Sequence, residues 1–102
     1  MSFVVINAVT VSDESRDEFE ERFAKRAGTV SGAAGFEAFE LLKPLGDGRY
    51  LVYTRWRSQE DFDRWVQGPA FQHGHRQHER EGPVSSESAL WSFDVVQHEE
   101  AS

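Results

Sequence analysis

Hydrophobic and polar positions alternate without a break over residues 3–11. Phe3, Val5, Asn7, Val9 and Val11 fall on one side, and Val4, Ile6, Ala8 and Thr10 on the other. A period of two predicts a strand, here apolar on both faces. The period then changes. Phe19, Phe23, Ala27 and Val30 recur at spacings of three and four, which predicts an amphipathic helix over about residues 13–30. Ser12-Asp13-Glu14 supplies an N-cap and first-turn acids, and Gly28 with Gly32-Ala33-Ala34-Gly35 is expected to end the helix in a loop. Alternation returns over 36–43, where Phe36, Ala38, Glu40 and Leu42 oppose Glu37, Phe39, Leu41 and Lys43. Phe36 and Phe39 are therefore expected on opposite faces. Asp47-Gly48 is a turn signal, and residues 49–57 read as a third strand. Ser58-x-x-Asp61 resembles a capping box for a second helix with Phe62, Trp65 and Val66 on its apolar side. Gly68-Pro69 interrupts it, a short further helix is expected over about 69–80, and Gly82-Pro83 ends that segment. A last strand is expected over about 88–97, with a frayed polar tail at 98–102.

The order β-α-β-β-α-β predicts an α+β, ferredoxin-like fold in a single domain spanning residues 1–102. Two helices can cover one face of a four-stranded sheet. The other face carries apolar side chains from every strand, more than a monomer usually exposes. A second copy of the chain, packed sheet on sheet, is the simplest cover, so a homodimer of α/β-barrel type is expected.

Composition narrows the chemistry. The 102 residues include 11 Lys and Arg against 18 Asp and Glu, a net charge of −7. That acidity argues against a protein that tracks nucleic-acid phosphates. No apolar run approaches the ~20 residues that cross a bilayer, and residues 1–7 do not read as a signal peptide. A cytoplasmic protein that binds no membrane is the expectation. Cysteine is absent, which removes thiolate nucleophiles, disulfides, iron–sulfur clusters and Cys-based zinc sites. No P-loop, dinucleotide fingerprint, nucleophile elbow or zincin motif is present.

The remaining candidates are few. Asn7 places a carboxamide among aliphatics, either to bond a loop backbone or to point a donor into a pocket. His73, His75 and His78 crowd one segment with Arg76. On a helix His75 and His78 share a face and His73 points nearly opposite to His75, so the three do not make a ready zinc site. One of them suffices for a haem, or all are solvated surface residues. Trp65 and Phe23 read as core. Arg22 and Arg26 lie one turn apart and can pair with Glu18 or Glu21, or meet a ligand carboxylate. Tyr50 and Tyr53 have no evident partner as acid–base groups.

Several of these residues fall together in one pattern. Asn7, Glu21-Arg22-Phe23-x-x-Arg26, Gly35-Phe36, Thr54-x-Trp56-x-Ser58, Phe62-x-x-Trp65 and Gly68-Pro69-Ala70 with a downstream histidine carry a resemblance over roughly residues 3–97. This pattern resembles the IsdG-type haem-degrading monooxygenases, MhuD-like branch included, of the antibiotic-biosynthesis-monooxygenase (ABM) superfamily. The resemblance implies an enzyme that binds haem as cofactor and substrate and opens the porphyrin with O2 and an electron donor or reductase, releasing iron. It implies catalytic roles for Asn7, Trp65 and His75. Asn7 matches the distal amide that hydrogen-bonds dioxygen, and Trp65 matches the residue that presses on the macrocycle and ruffles it. His75, ten residues after Trp65 with Phe71 between, matches the proximal iron ligand. Other members keep one residue fewer, which falls on Gly74 here, so His73 and His78 stay open as alternatives. Phe23 and Phe71 are expected against the haem, and Arg22, Arg26 or Arg76 at its propionates.

Two other functions fit the sequence. One is a cofactor-independent ABM monooxygenase acting on a polycyclic phenol or quinol, with no His ligand. The other is a haem-binding dimer without catalysis.

Overall fold

The computed structural model describes residues 2–68 and 85–101, and of residues 26–31 and 85–88 the backbone alone. Strand β1 (Phe3–Val11) leads through a 3-10 turn (Asp13–Ser15) into helix α1 (Arg16–Ser31). Strands β2 (Phe36–Leu42) and β3 (Tyr50–Trp56) follow, then helix α2 (Gln59–Val66) and strand β4 (Ser85–Asp94). The expected short helix at 69–80 and its Gly82-Pro83 stop lie outside the described residues. The sheet is antiparallel in the order β2-β3-β1-β4, the ferredoxin-like arrangement.

Three local expectations need correction. Gly28 does not end α1, whose backbone stays helical through Ser31. One interior glycine costs ~1 kcal/mol, less than breaking a helix that packs along the sheet. Ser12 makes no side-chain cap to the helix, and its hydroxyl bonds Ser15 Oγ at 3.1 Å. Strand β4 lies three residues earlier than expected because its pairing with β1 runs from Val11↔Ser85 to Phe3↔Asp94. Beyond Asp94 the Val95 N–H donates to Ser2 O at 2.9 Å, and His98 Nδ1 lies 3.3 Å from the Arg55 guanidinium of β3.

A fourth correction changes the core. The β2–β3 register shifts between Phe36 and Ala38. This bulge turns Phe36 to the same face as Phe39 and Leu41, so both phenylalanines lie under the helices. Phe36 meets Trp56 edge-on at 5.5 Å, and Phe39 stacks on Phe23 of α1 at 6.3 Å.

Among the described residues, the covered face holds two separate apolar cores. Under α2, Phe3, Val5 and Trp56 pack with Phe36, Phe62 and Trp65. Under α1, Val9, Val11, Phe19 and Tyr50 pack with Phe23, Leu41 and Val52. Among the described residues, Trp56 and Tyr50 are the largest fully buried side chains, each contributing ~2–3 kcal/mol by burial. The opposite face is open. It carries Ile6, Leu51 and Tyr53 half-buried, and Leu42, Trp91 and Phe93 exposed.

Helix α2 is short and pinned at its start. Ser58 Oγ accepts from the Asp61 N–H at 3.3 Å and donates to Asp61 Oδ2 at 2.9 Å, so the expected capping signal is met. The Asp61 carboxylate, 2% exposed, also takes both arms of Arg57 at 2.9 and 3.1 Å and Arg64 at 3.0 Å. The Arg57 guanidinium first, then the Ser58 hydroxyl, holds the Asp61 carboxyl below the usual carboxylate range. No helix among the described residues is long and apolar enough to cross a membrane.

Candidate functional site

Asn7 lies between the two cores and belongs to neither. It shares the covered face with Val5 and Val9 because the strand alternates. Helix α2 caps the Phe3–Val5 end of β1, and α1 caps the Val9–Val11 end. Asn7 falls between these two ends and is half-buried. Among the described residues its side-chain carboxamide has no hydrogen-bond partner.

Register sets Asn7 in a row that crosses the whole sheet. Leu41 pairs with Val52, Val52 with Asn7, and Asn7 with Leu90. The four residues form one rung on the covered face, three aliphatics with one amide among them. With strands ~4.8 Å apart, the rung spans on the order of 14 Å.

The helices supply the walls. Trp65, half-buried, stands at the α2 side and packs against Trp56 with ring centroids 5.5 Å apart. Phe23 stands at the α1 side between Phe19 and Phe39. Together with Glu20, Ala24, Phe39 and Leu41 it lines a groove of about 270 Å³ at the β2 end of the cleft. Arg22 lies on the opposite flank of α1 from Glu20. Its side chain is 12% exposed and bonds Glu18 at 2.9 Å, the pairing expected from their one-turn spacing.

The charges around Glu20 are structural. Tyr50 donates its hydroxyl to the Glu20 carboxylate, and Lys43 Nζ lies 3.2 Å from the same carboxylate. These two contacts hold the Glu20 carboxyl below its usual range. Burial, then the Glu20 bond, pushes the Tyr50 phenol up to about 12. Tyr50 thus has a partner that the sequence does not reveal, and it holds its proton rather than transferring it.

Of the expected site residues, Asn7 lies on the covered face of β1, Phe23 packs against the α1 core, Trp65 packs against the α2 core, and Arg22 is paired with Glu18 on α1. The side chain of Arg26 lies outside the described residues, as do Phe71, His75, Arg76 and the alternatives His73 and His78. The described residues suit haem by their chemistry: apolar Leu90 beside a carboxamide without a described partner, and the aromatic rings of Phe23 and Trp65 on the two helices. Leu41, Val52 and Leu90 are missing from the sequence-based candidates. Their alternation was legible, but only strand register shows that they share Asn7's rung.

The antibiotic biosynthesis monooxygenase family model matches residues 2–77. The chain belongs to this family. A mycobilin-producing haem oxygenase of Mycobacterium tuberculosis is 43% identical over 97 residues, which are 94% of this chain and 90% of the relative. The solved M. tuberculosis haem degrader MhuD, with two haems bound in its active site, superposes with a TM-score of 0.84. It is 40% identical, and the match covers 96% of this chain and 99% of that one. SnoaB, a cofactor-independent oxygenase from Streptomyces nogalater solved as a mutant, has a TM-score of 0.78 at 23% identity, covering 95% of each chain. That second likeness shows the shared fold alone.

Proposed function

We propose that this protein is a haem-degrading monooxygenase. It takes haem as cofactor and substrate and opens the porphyrin with O2 and electrons from a donor or reductase, releasing iron. The observation that carries this reading is Asn7. Its carboxamide stands without a partner among the described residues, between two apolar cores, in a chain 43% identical to a haem oxygenase. A polar group left unpaired in an apolar site costs ~1–3 kcal/mol. A ligand atom that accepts its N–H offsets that cost.

Haem supplies the redox chemistry when bound. The chain's own residues do the rest. Asn7 donates a hydrogen bond into the space over the rung and so orients the oxygen reactant. Trp65 and Phe23 wall the cleft, exclude water and set the shape available to the ring. His75 would hold the haem iron through an imidazole nitrogen, with His73 and His78 as the alternatives tested below. Phe71 adds apolar contact, and Arg22, Arg26 and Arg76 meet the propionates. The 102 residues act as one ferredoxin-like domain, in the cytoplasm.

The protein acts as a homodimer in this reading. Trp91 is 46% and Phe93 48% exposed on the open sheet face, beside half-buried Ile6, Leu51 and Tyr53. A second copy stacked on the same face covers them isologously.

Haemin added to the purified protein should give a sharp, saturable Soret band. With a reductant and O2 the band should decay and iron should be released. Failure to bind haemin overturns the reading in favour of cofactor-independent oxygenation. Stable binding without decay reduces the protein to a haem-binding module.

A further inference from the structure

Large apolar side chains on the covered face lie under α1 or α2, with one exception among the described residues. Leu90 of β4 is 64% exposed. The other exposed large apolar residues lie elsewhere: Leu42, Trp91 and Phe93 on the open face, Leu45 in the β2–β3 turn, and Val96 beyond the sheet. An isolated exposed leucine on an open surface is ordinary. Leu90 differs in its neighbour. It is the register partner of Asn7, and residues directly opposite on paired strands have Cβ atoms ~5 Å apart. The isobutyl group therefore stands beside the unpartnered carboxamide.

The sequence of β4 sharpens the point. The positions two before and two after Leu90 on the same face are Ser88 and Ser92, paired with Val9 and Val5. Over these three positions β4 offers the cleft one large residue, at the rung of Asn7. The opposite end of the rung is filled, because Val52 and Leu41 pack into the α1 core. A flat ligand over Asn7 is thus backed by fixed aliphatics on the β2 side and meets Leu90 on the β4 side.

We propose that Leu90 is a specificity-determining residue of this cleft. It forms the β4 wall and fixes which edge of the tetrapyrrole lies beside Asn7, and hence which bridging carbon is oxidised. The inference rests on the haem-degrading reading above. Haem is nearly square in outline, but its edges carry methyl, vinyl or propionate groups. One large side chain pressed against one edge selects among in-plane rotations that an otherwise smooth cleft accepts equally.

The test compares the wild type with Leu90→Ala, Leu90→Phe and the control Leu45→Ala, all at exposed positions. Haemin titration followed at the Soret band reads affinity. Proton NMR of the cyanide-ligated ferric complex reads the in-plane orientation of haem without turnover. Chromatography of the ring-opened products reads the isomer ratio. Leu90→Ala should weaken haemin binding ~10-fold and broaden the set of orientations. Leu90→Phe should shift both the orientation and isomer ratios, and Leu45→Ala should match the wild type. Unchanged affinity, orientation and isomers in both Leu90 variants, with an active wild type, overturn the inference alone. A wild type that does not bind haemin overturns the underlying reading and this inference with it.

Discussion

Gly35 and Asp61 meet with no room for a side chain between them. A Cβ built on Gly35 falls 2.3 Å from Asp61 Cγ, and Gly35 has a φ of +79°. The Gly35 carbonyl also accepts the Arg57 N–H at 2.7 Å. The start of β2, the end of β3 and the first turn of α2 are therefore joined at one point, and α2 carries Trp65 out from it. Gly35→Ala adds left-handed strain and displaces the buried carboxylate. It should lower stability by at least ~2 kcal/mol and the melting temperature by roughly 10 °C, as read by thermal denaturation.

Asn7→Ala should leave the fold intact, because no described partner is lost. Haemin affinity should stay within about threefold. Turnover should slow ~10-fold or more, the kinetic equivalent of one hydrogen bond worth ~1.4 kcal/mol. Single-turnover decay of the Soret band measures this, and an unchanged rate removes Asn7 from the chemistry.

Of the three clustered histidines, His75 should alone control the ferric spectrum. His75→Ala should change the Soret position and weaken haemin binding, while His73→Ala and His78→Ala should keep the wild-type spectrum. If either of the latter changes it and His75→Ala does not, the ligand assignment moves to that residue.

The open sheet face should hold two chains together. Trp91→Glu and Phe93→Glu each place a charge among apolar residues of the proposed interface, where an unpaired charge is costly. Each variant should sediment near the 11.6 kDa of one chain, and the wild type at twice that mass. A wild type that sediments as a single chain at micromolar concentration excludes the dimer.

Tyr50 predicts an alkaline limit to stability. Its phenol is raised from 10.0 to about 12 by burial and by the bond to Glu20. The native state therefore keeps a proton that the unfolded chain releases near pH 10. The contribution is complete below pH 10 and is lost as the pH rises from 10 to about 12. Melting temperature against pH should fall across this window, and more steeply than in Tyr50→Phe, which has no phenol to ionise.

The chain's own neighbours determined a good deal. Alternation in Phe3 to Val11 marked a strand with two apolar faces, and the spacing of Phe19 and Phe23 marked the face of α1. Ser58 and Asp61 announced the start of α2, and the element order named the fold. Such signals are local, because they come from side chains repeating along one segment, and sequence carries them directly. Tertiary structure decided what depends on strands distant in the chain. The bulge after Phe36 turned that ring inward, Tyr50 found Glu20, and register set Leu41, Val52, Asn7 and Leu90 in one row. Pairing between strands is fixed by the best joint packing of both faces, and no single segment contains that information.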